Sequence, residues 1–492
     1  MDGSPPGTTA GPPSVPDLGG TAEIRRGQSL PTPLAHTVGP LAAAAVVAIL
    51  TRGSADVFEG SALTFLAFLL GGLVLRREGQ HTALLPLTGS LLALAPAVLG
   101  LAGLTTIHLL FDLPALPVWE LALVALLGGT VTLGARRLLG PHRTLRTAII
   151  GARPGSVLAS ELELAGVARY ELVGVIAPDG QTARDLGREV DGLPVLGSLN
   201  ELGGVVERQG IELLLMTSGV SRLAVFEEMA RSCLHLSVRL WELTGFYEEV
   251  FGHVPVGEIN ASWFQYIMHP RFNASAGASK RVVDLVIAGA ISVFCLPLIG
   301  LLGLLVKSDG GSAFFKQVRI GESGRPFTVY KLRTMREGTA PAAQWASASD
   351  PRITGLGRVL RKSHLDELPQ LLNVLRGDMS LVGPRPEQPE FVERLESTVP
   401  FYSRRHLIRP GVTGWAQVRC GYAGSDLGSA WKLCHDLYYL KHRTLGLDFA
   451  IIAETVRTLV ADRQYGIEPA GVSFIMRKES PEALKPAQSA AA

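Results

Sequence analysis

The sequence predicts a membrane protein of α/β class: four N-terminal transmembrane helices, a Rossmann-like α/β domain, and a membrane-associated α/β domain entered through a re-entrant helix. Three observations predict it. Hydrophobic residues make up 47% of the chain and charged residues only 18%, and the mean hydropathy is +0.26, too apolar for a water-soluble protein of this size. Apolar runs near the length of a bilayer crowd the first third of the chain. From Thr144 the texture changes to short apolar stretches separated by mixed helical segments, the pattern of alternating strands and helices.

At 492 residues the chain is long enough for two or three folded units besides membrane segments. Residues 1–33 are rich in Pro, Gly, Ser and Thr and poor in large apolar side chains, so they read as a disordered tail; residues 476–492 read likewise. No signal-peptide pattern occurs at the start. Four apolar runs follow within residues 34–140, near 35–51, 60–75, 82–111 and 117–135, with Glu120 as their one acid. Basic residues sit before the first run (Arg25, Arg26), between the second and third (Arg76, Arg77) and after the fourth (Arg136, Arg137, Arg143, Arg146), while the other loops carry Asp56, Glu59 and Asp112 against Arg52. By the positive-inside rule both ends of the four-helix unit face the cytoplasm.

Residues 144–250 are predicted to form the Rossmann-like domain, with strands entering Gly151, at Tyr170 to Ala177 and at Ile211 to Thr217. Its first glycine loop departs from G-x-G-x-x-G: Arg153 stands where a glycine would let the backbone approach a pyrophosphate. A structural or regulatory role is therefore preferred to nucleotide binding. Residues 251–279 read as a linker. A further apolar run, residues 282–306, lies in a segment (280–308) flanked by Lys280, Arg281 and Asp284 on one side and Lys307 on the other. A straight helix would carry the rest of the chain outside the cell; a break near Pro297 would return it to the cytoplasm, and basic residues at both ends favour the return.

The balance of 46 Lys and Arg against 44 Asp and Glu offers no general attraction for nucleic acid. The four cysteines, Cys233, Cys295, Cys420 and Cys434, have neither disulfide-framework nor zinc-ligand spacing, which fits a cytoplasm-facing protein.

The chemistry is concentrated in residues 309–475. Here stand Phe315-Lys316-Gln317-Val-Arg319-Ile-Gly321, then Pro326-Phe-Thr-Val-Tyr-Lys331-Leu-Arg333-Thr-Met335. Next comes Leu360-Arg361-Lys362-Ser363-His-Leu-Asp366-Glu367-Leu-Pro369-Gln370-Leu-Leu-Asn373-Val-Leu-Arg376-Gly-Asp378-Met-Ser-Leu-Val-Gly383-Pro384-Arg385-Pro386-Glu387. Last is Ile408-Arg409-Pro410-Gly411-Val-Thr-Gly414-Trp415-Ala-Gln417. On these blocks, in this order over about residues 279–462, the chain resembles the bacterial sugar transferases, which move a hexose 1-phosphate from a UDP-sugar onto undecaprenyl phosphate. The upstream layout is similar to the long-form galactose- and glucose-phosphate transferases of that family.

Such a reaction needs a nucleophile or base beside the reacting phosphate, cations to neutralise its charge, and usually a divalent metal. Asp366 and Glu367 supply the acids. Neighbours on a helix diverge by about 100°, which suits two jobs better than a shared proton. The resemblance implies that Asp366 attacks the sugar-bearing phosphorus, and that Glu367 helps to hold Mg²⁺ or positions the aspartate. Alone, Ser363-x-x-Asp366 would read as a helix-starting box; the surrounding blocks favour the chemical reading. Candidate phosphate-binding cations are Arg361, Arg385, Arg409, Lys331 and Arg333, arginine offering a planar fork suited to phosphate. Arg385 lies between two prolines and Arg409 precedes Pro-Gly, so both leave from stiffened backbone. Lys331 and Arg333 could equally touch lipid headgroups. By resemblance Asp436 and Gln417 also line the site.

Two departures from the family pattern stand out. Leu296-Pro297 replaces the Ser-Pro often found at the membrane break, and an Asp-Ala-Glu element after Met335 is replaced by Glu337 and an Ala-rich stretch. The segments Ser429 to Lys441 and Leu445 to Ala461 have amphipathic character and are read as core helices ahead of membrane-surface ones. A membrane-anchored nucleotide-sugar dehydratase or epimerase would need a Tyr-x-x-x-Lys pair, which none of the nine tyrosines makes; a flippase or non-catalytic assembly protein would not need the acidic pair. The expected partners are a UDP-sugar, undecaprenyl phosphate and the bilayer, with a homodimer by analogy and no nucleic acid. The expected location is multi-pass in the bacterial cytoplasmic membrane, with the catalytic domain on the cytoplasmic face. The motifs leave the sugar open.

Overall fold

The computed structural model describes residues 144–461 apart from 152–154, 166, 191, 261–262, 266–275, 309, 337–349 and 421–424. Both predicted tails, the four predicted transmembrane helices, Arg153 and the Ala-rich stretch lie outside the described residues.

The first described part is an open six-stranded sheet of order β3-β4-β2-β1-β5-β6. Its strands are β1 (Leu145–Ile150), β2 (Tyr170–Ala177), β3 (Glu189–Val190), β4 (Leu193–Ser198), β5 (Leu213–Met216) and β6 (Arg239–Glu242); its helices are α1 (Gly155–Leu164), α2 (Gly180–Leu186), α3 (Leu202–Gln209), α4 (Arg222–Ser232) and α5 (Leu243–Val250). All pairings are parallel except β3 with β4. Successive strand residues face opposite sides, so Ile149, Leu213 and Leu215 pack with Leu158, Phe246 and Tyr247 on one face, while Ile150, Ile176 and Leu214 pack with Leu202, Val206 and Val225 on the other.

Chain order reverses direction at β1, the place where open sheets of this kind take ligands beyond their strand ends. The described residues at that place are closely packed. A Cβ on Gly151 (φ +136°) would stand 2.1 Å from Thr217 Oγ1, so only glycine lets the ends of β1 and β5 come this close. The Ser218 amide donates to Glu258 Oε2 at 2.7 Å, and the cavity left beside it, lined by Thr217, Arg222, Glu242 and Glu258, holds only ≈ 60 Å³.

The expected linker after α5 is not a loose tether. Residues 251–256 are all buried, because their aromatic and apolar side chains belong to the core of the second part, which takes in Val254, Val256 and Trp263. The Val254 amide donates to Cys434 O (3.0 Å), and Trp415 Nε1 donates to Gly252 O (2.7 Å). Glu248 on α5 is gripped from the same side by Trp263 Nε1, Lys441 Nζ and His442 Nε2 at 2.7, 2.8 and 2.8 Å.

The second part opens with α6 (Ala276–Lys307) and continues through the antiparallel hairpin β7 (Phe314–Ile320) and β8 (Pro326–Leu332). Helices α7 (Gly355–Lys362) and α8 (Leu371–Arg376) flank a 3-10 helix, Leu365–Gln370, and β9 (Ser380–Val382) pairs in parallel with β10 (Gly411–Thr413). Helices α9 (Pro389–Thr398), α10 (Trp415–Cys420), α11 (Asp426–His442) and α12 (Leu445–Ala461) complete it. The core reading of the last two holds for α11, where Trp431, Leu433, Cys434, Leu437, Tyr438 and Tyr439 are all buried. Helix α12 is two-faced: Leu447 and Ile451 point inward, and Phe449, Val456 and Leu459 are exposed.

Helix α6 is long and apolar enough to cross a membrane, with a mean hydropathy of 2.6 over its most apolar 18 residues and little of that stretch buried. Val286, Val293, Phe294, Leu296, Leu301 and Leu304 all face outward, which calls for lipid as solvent. Pro297, where the break is expected, lies inside this helix, whose assigned turns run on to Lys307. A helix interior proline loses one hydrogen bond at a cost of about 3 kcal/mol, and the turns on either side carry the helix past it.

Both ends of α6 are fastened to the second part. Near its start, Lys280 Nζ meets Asp448 Oδ2 (2.7 Å), Arg281 donates to the carbonyls of Val374 (2.6 Å) and Leu375 (2.9 Å), and Asp284 accepts from Ser380 Oγ (2.8 Å). At its end, Val306 packs with Leu332 and Leu360, and Arg333 Nη2 donates to Val306 O (2.9 Å).

The Glu248 cluster generates a stability prediction. Burial opposes ionisation of Glu248, but the His442 hydrogen bond and the Lys441 ammonium outweigh it and hold the carboxyl at about 2, below its ordinary 4.5. A depressed carboxylate stabilises the fold above its unfolded pKa, and that contribution disappears as pH falls toward the folded value. Glu248→Gln, which breaks a buried ion pair, is expected to cost about 3–5 kcal/mol in denaturant titrations at neutral pH. The gap from wild type should narrow as pH falls from 4.5 toward 2; a pH-independent gap would contradict this account.

Candidate active site

The site is built where three chain segments meet: β8, the 3-10 helix Leu365–Gln370 and the loop after β9. Helix α7 ends at Ser363, whose hydroxyl donates to Val359 O (2.8 Å) and Leu360 O (3.2 Å). Ser363 therefore closes the preceding helix and does not start the next. The reversal falls on His364, held at φ +55° in the left-handed region. For a residue with a Cβ that conformation is strained, and it turns the chain so that Asp366 and Glu367 open the 3-10 helix.

Glu367 is the hub. Lys331 Nζ of β8 donates to its Oε1 at 2.6 Å, and Arg385 donates to the same oxygen through Nη2 at 2.8 Å, with Nη1 3.5 Å from Oε2. Burial works against the charge on Glu367, but Arg385 and Lys331 overcome it and hold the carboxyl far below the usual range. Burial holds the Lys331 ammonium below its ordinary value, with Glu367 pulling the other way; the Glu367 charge raises that of Arg385.

Asp366 differs from its neighbour. It is 8% exposed, and its carboxylate accepts no hydrogen bond from the described residues. Burial first, then the adjacent Glu367 charge, raises its pKa, against the pull of Lys331 and Arg361. Arg361 donates through Nε to Thr334 Oγ1 (2.9 Å), leaving its Nη atoms without a hydrogen-bond partner among the described residues. The arrangement is an under-bonded carboxylate beside open cationic donors, which can receive a phosphoryl group.

Of the predicted cations, then, Lys331, Arg361 and Arg385 stand with the acidic pair. Arg333 does not: it is 8% exposed and caps the end of α6, donating to Val306 O and, through Nε, to Ser312 O (2.7 Å). Arg409 instead pairs at the surface with Glu322 of the β7–β8 turn (3.1 Å). Gln417 Nε2 donates to Val412 O (3.1 Å), supporting the turn after β10. Asp436 is 1% exposed and contacts Arg405 (2.8 Å), so it lies within the core and lines no open surface. Sequence reasoning missed Arg405 and Arg319, which hold the Arg385 loop from behind; nothing in a lone arginine's neighbourhood signals which carbonyl it will bind.

Among the described residues no group of three His, Cys, Asp or Glu forms a metal cage. Magnesium commonly uses one or two carboxylates, with phosphate and water completing its shell. The open carboxylate of Asp366 fits that donor set; Glu367 has both oxygens turned to cations.

Comparison with known proteins follows the same boundaries. The bacterial sugar transferase family matches residues 275–462. A UDP-N-acetylgalactosamine-undecaprenyl-phosphate N-acetylgalactosaminephosphotransferase of Aeromonas hydrophila is 36% identical over 237 residues, 48% of this chain and 55% of that one. A UDP-glucose:undecaprenyl-phosphate glucose-1-phosphate transferase of Caulobacter vibrioides is 42% identical over 37% of this chain and 69% of its own. The exopolysaccharide production protein ExoY of Sinorhizobium fredii is 39% identical over 38% of this chain and 88% of its own. The chain thus spans little more than half of the first relative and most of the other two.

The strained turn at His364 is open to test. His364→Gly is expected to hold or raise the thermal midpoint, because glycine accepts φ +55° freely, whereas His364→Val should cost about 1–2 kcal/mol. Equal losses for the two variants would contradict a left-handed residue there.

Proposed function

Because this chain belongs to the bacterial sugar transferase family, we propose that it transfers a sugar 1-phosphate from a UDP-sugar to undecaprenyl phosphate, releasing UMP. The product, undecaprenyl-diphospho-sugar, is the first membrane-bound species of a surface glycan. The observation that carries this reading is the contrast between the two acids: Glu367 is saturated by Lys331 and Arg385, while Asp366 is left open beside Arg361.

In the proposed reaction an Asp366 oxygen attacks the phosphorus that bears the sugar. The bond from that phosphorus to the UMP oxygen breaks, and UMP leaves with the electron pair. An oxygen of undecaprenyl phosphate then attacks the same phosphorus and expels the Asp366 carboxylate. Arg361 and Arg385 are assigned to the phosphate oxygens, where positioned cations supply most of the catalysis in phosphoryl transfer. Glu367 is assigned to holding Lys331 and Arg385 in place. Asp366 would be the residue to hold magnesium, which when bound would supply neutralisation of phosphoryl charge. The relatives' names include both glucose and N-acetylgalactosamine donors, and the choice of sugar here is left to the assay.

The finer membrane layout belongs to the same reading. Four transmembrane helices within residues 34–140 and the catalytic part on the cytoplasmic face agree with the basic flanks. Helix α6 is assigned as re-entrant: Lys280 to Asp284 and Val306 are bound to the same catalytic part, which favours placing both ends on one side of the bilayer. The sheet part is read as a Rossmann-like domain whose ligand crevice is taken by Glu258, a structural role.

The test is UMP release by purified protein from a panel of UDP-sugars with undecaprenyl phosphate and Mg²⁺. Lipid-dependent UMP from at least one donor is expected, with loss of at least a thousandfold in Asp366→Asn, on the order of removing a covalent nucleophile; near-wild-type turnover by that variant would remove the assignment. Since Asp366 must be ionised to attack and its pKa is raised above the ordinary 3.8, the acid limb of the rate profile should lie above that value. For topology, single cysteines introduced before residue 280 and after residue 307 should both label from the cytoplasm; labelling from opposite sides would mean a spanning helix.

A further inference from the structure

The reaction above makes no use of a buried charged cluster behind the Arg385 loop. Arg405, from the 3-10 helix Tyr402–Leu407, is 4% exposed. Its guanidinium meets three oxygens: Nη1 donates to Tyr402 Oη at 2.6 Å, while Nη2 lies 2.8 Å from Asp436 Oδ2 and donates to Arg385 O at 3.1 Å. Burying two charges is costly, and apolar residues of similar volume often serve stability as well. Packing alone therefore does not account for the pair.

What Arg405 grips is backbone. The Arg385 carbonyl is bound by Arg405, and the next carbonyl, that of Pro386, is bound by Arg319 Nη1 at 3.1 Å. Pro384 and Pro386 fix φ on either side, and the two arginines fix the orientation of the successive peptide planes. The Arg385 side chain thus leaves from a backbone with little freedom and reaches Glu367 at 2.8 Å.

We infer that Arg405, set in place by Asp436 and Tyr402, is a positioning residue that aims the Arg385 fork at the donor's diphosphate. Asp436 acts through Arg405 and Arg385, not by lining the site. The inference rests on the proposed donor and specifies how one of its cations is held. It matters because misplacing a charged donor by an ångström weakens exactly those interactions that depend on fixed geometry.

A double-mutant cycle on UDP binding separates positioning from general loosening of the fold. Calorimetric titration of the full chain with UDP would compare wild type, Asp436→Asn, Tyr402→Phe, Arg385→Gln and the two combinations with Arg385→Gln. Asp436→Asn and Tyr402→Phe are each expected to weaken UDP by about 5- to 30-fold, the range of a misaligned charge-assisted contact, yet by less than about twofold once Arg385 is glutamine. Tyr402→Phe keeps both buried charges, so it carries the test alone if Asp436→Asn fails to fold. Equal losses in both backgrounds, or full UDP affinity in the folded single variants, would overturn the positioning role while leaving the donor assignment standing. Wild-type protein that binds no UDP would instead overturn the donor assignment and this inference with it.

Discussion

The carboxylate of Glu367 is the interaction on which the site depends. It joins Lys331, 36 residues upstream, and Arg385, 18 residues downstream, and so brings a β-hairpin and a proline-bounded loop to the same 3-10 helix. Two cations converging on a half-buried spot would repel each other without an anion between them. Burial penalises ionisation of the neighbouring Asp366 most, and the Glu367 anion adds to that penalty. One residue thereby holds the cations and adds to the cost of charging the next, which suits a division of labour between the two acids.

Helix α11 carries this arrangement into the rest of the molecule. Its Asp436 faces Arg405 and, through it, the Arg385 loop. Its Trp431 ring meets His253 edge-on and its His435 ring lies tilted against the same residue, and its Lys441 and His442 hold Glu248 of the sheet part. The sheet part and the catalytic part are therefore tied together through one helix. Glu258, from the segment leading out of the sheet, binds the Ser218 amide just beyond β5 and ties that segment to the sheet.

Much of this was legible in the sequence. The strand at Tyr170 to Ala177 is found with those bounds as β2, because β-branched and apolar residues there are bounded by turn formers. Asp366, Glu367, Lys331, Arg361 and Arg385 were picked by chemical type and come together. Arg333 and Arg409 were picked on the same grounds and go elsewhere, one to a helix end and one to a surface pair. A guanidinium's preference for oxygen does not distinguish phosphate from carbonyl, and only the fold decides which is near. Residues 251–256 looked like a linker because no periodicity marks them; their burial comes from partners some 170 residues away, such as Cys434 and Trp415. The sequence places a break at Pro297, and that residue lies within a single helical segment, since proline bends or weakens a helix locally without dictating its end.

Intact-mass spectrometry of the protein with its UDP-sugar donor and Mg²⁺, but without lipid acceptor, decides whether Asp366 becomes covalently bonded to the sugar phosphate. One equivalent of UMP and a sugar-phosphate mass increment on the peptide containing Asp366 are expected, discharged when undecaprenyl phosphate is added. UMP that forms only when donor and lipid are present together, with no increment on the protein, would contradict that bond.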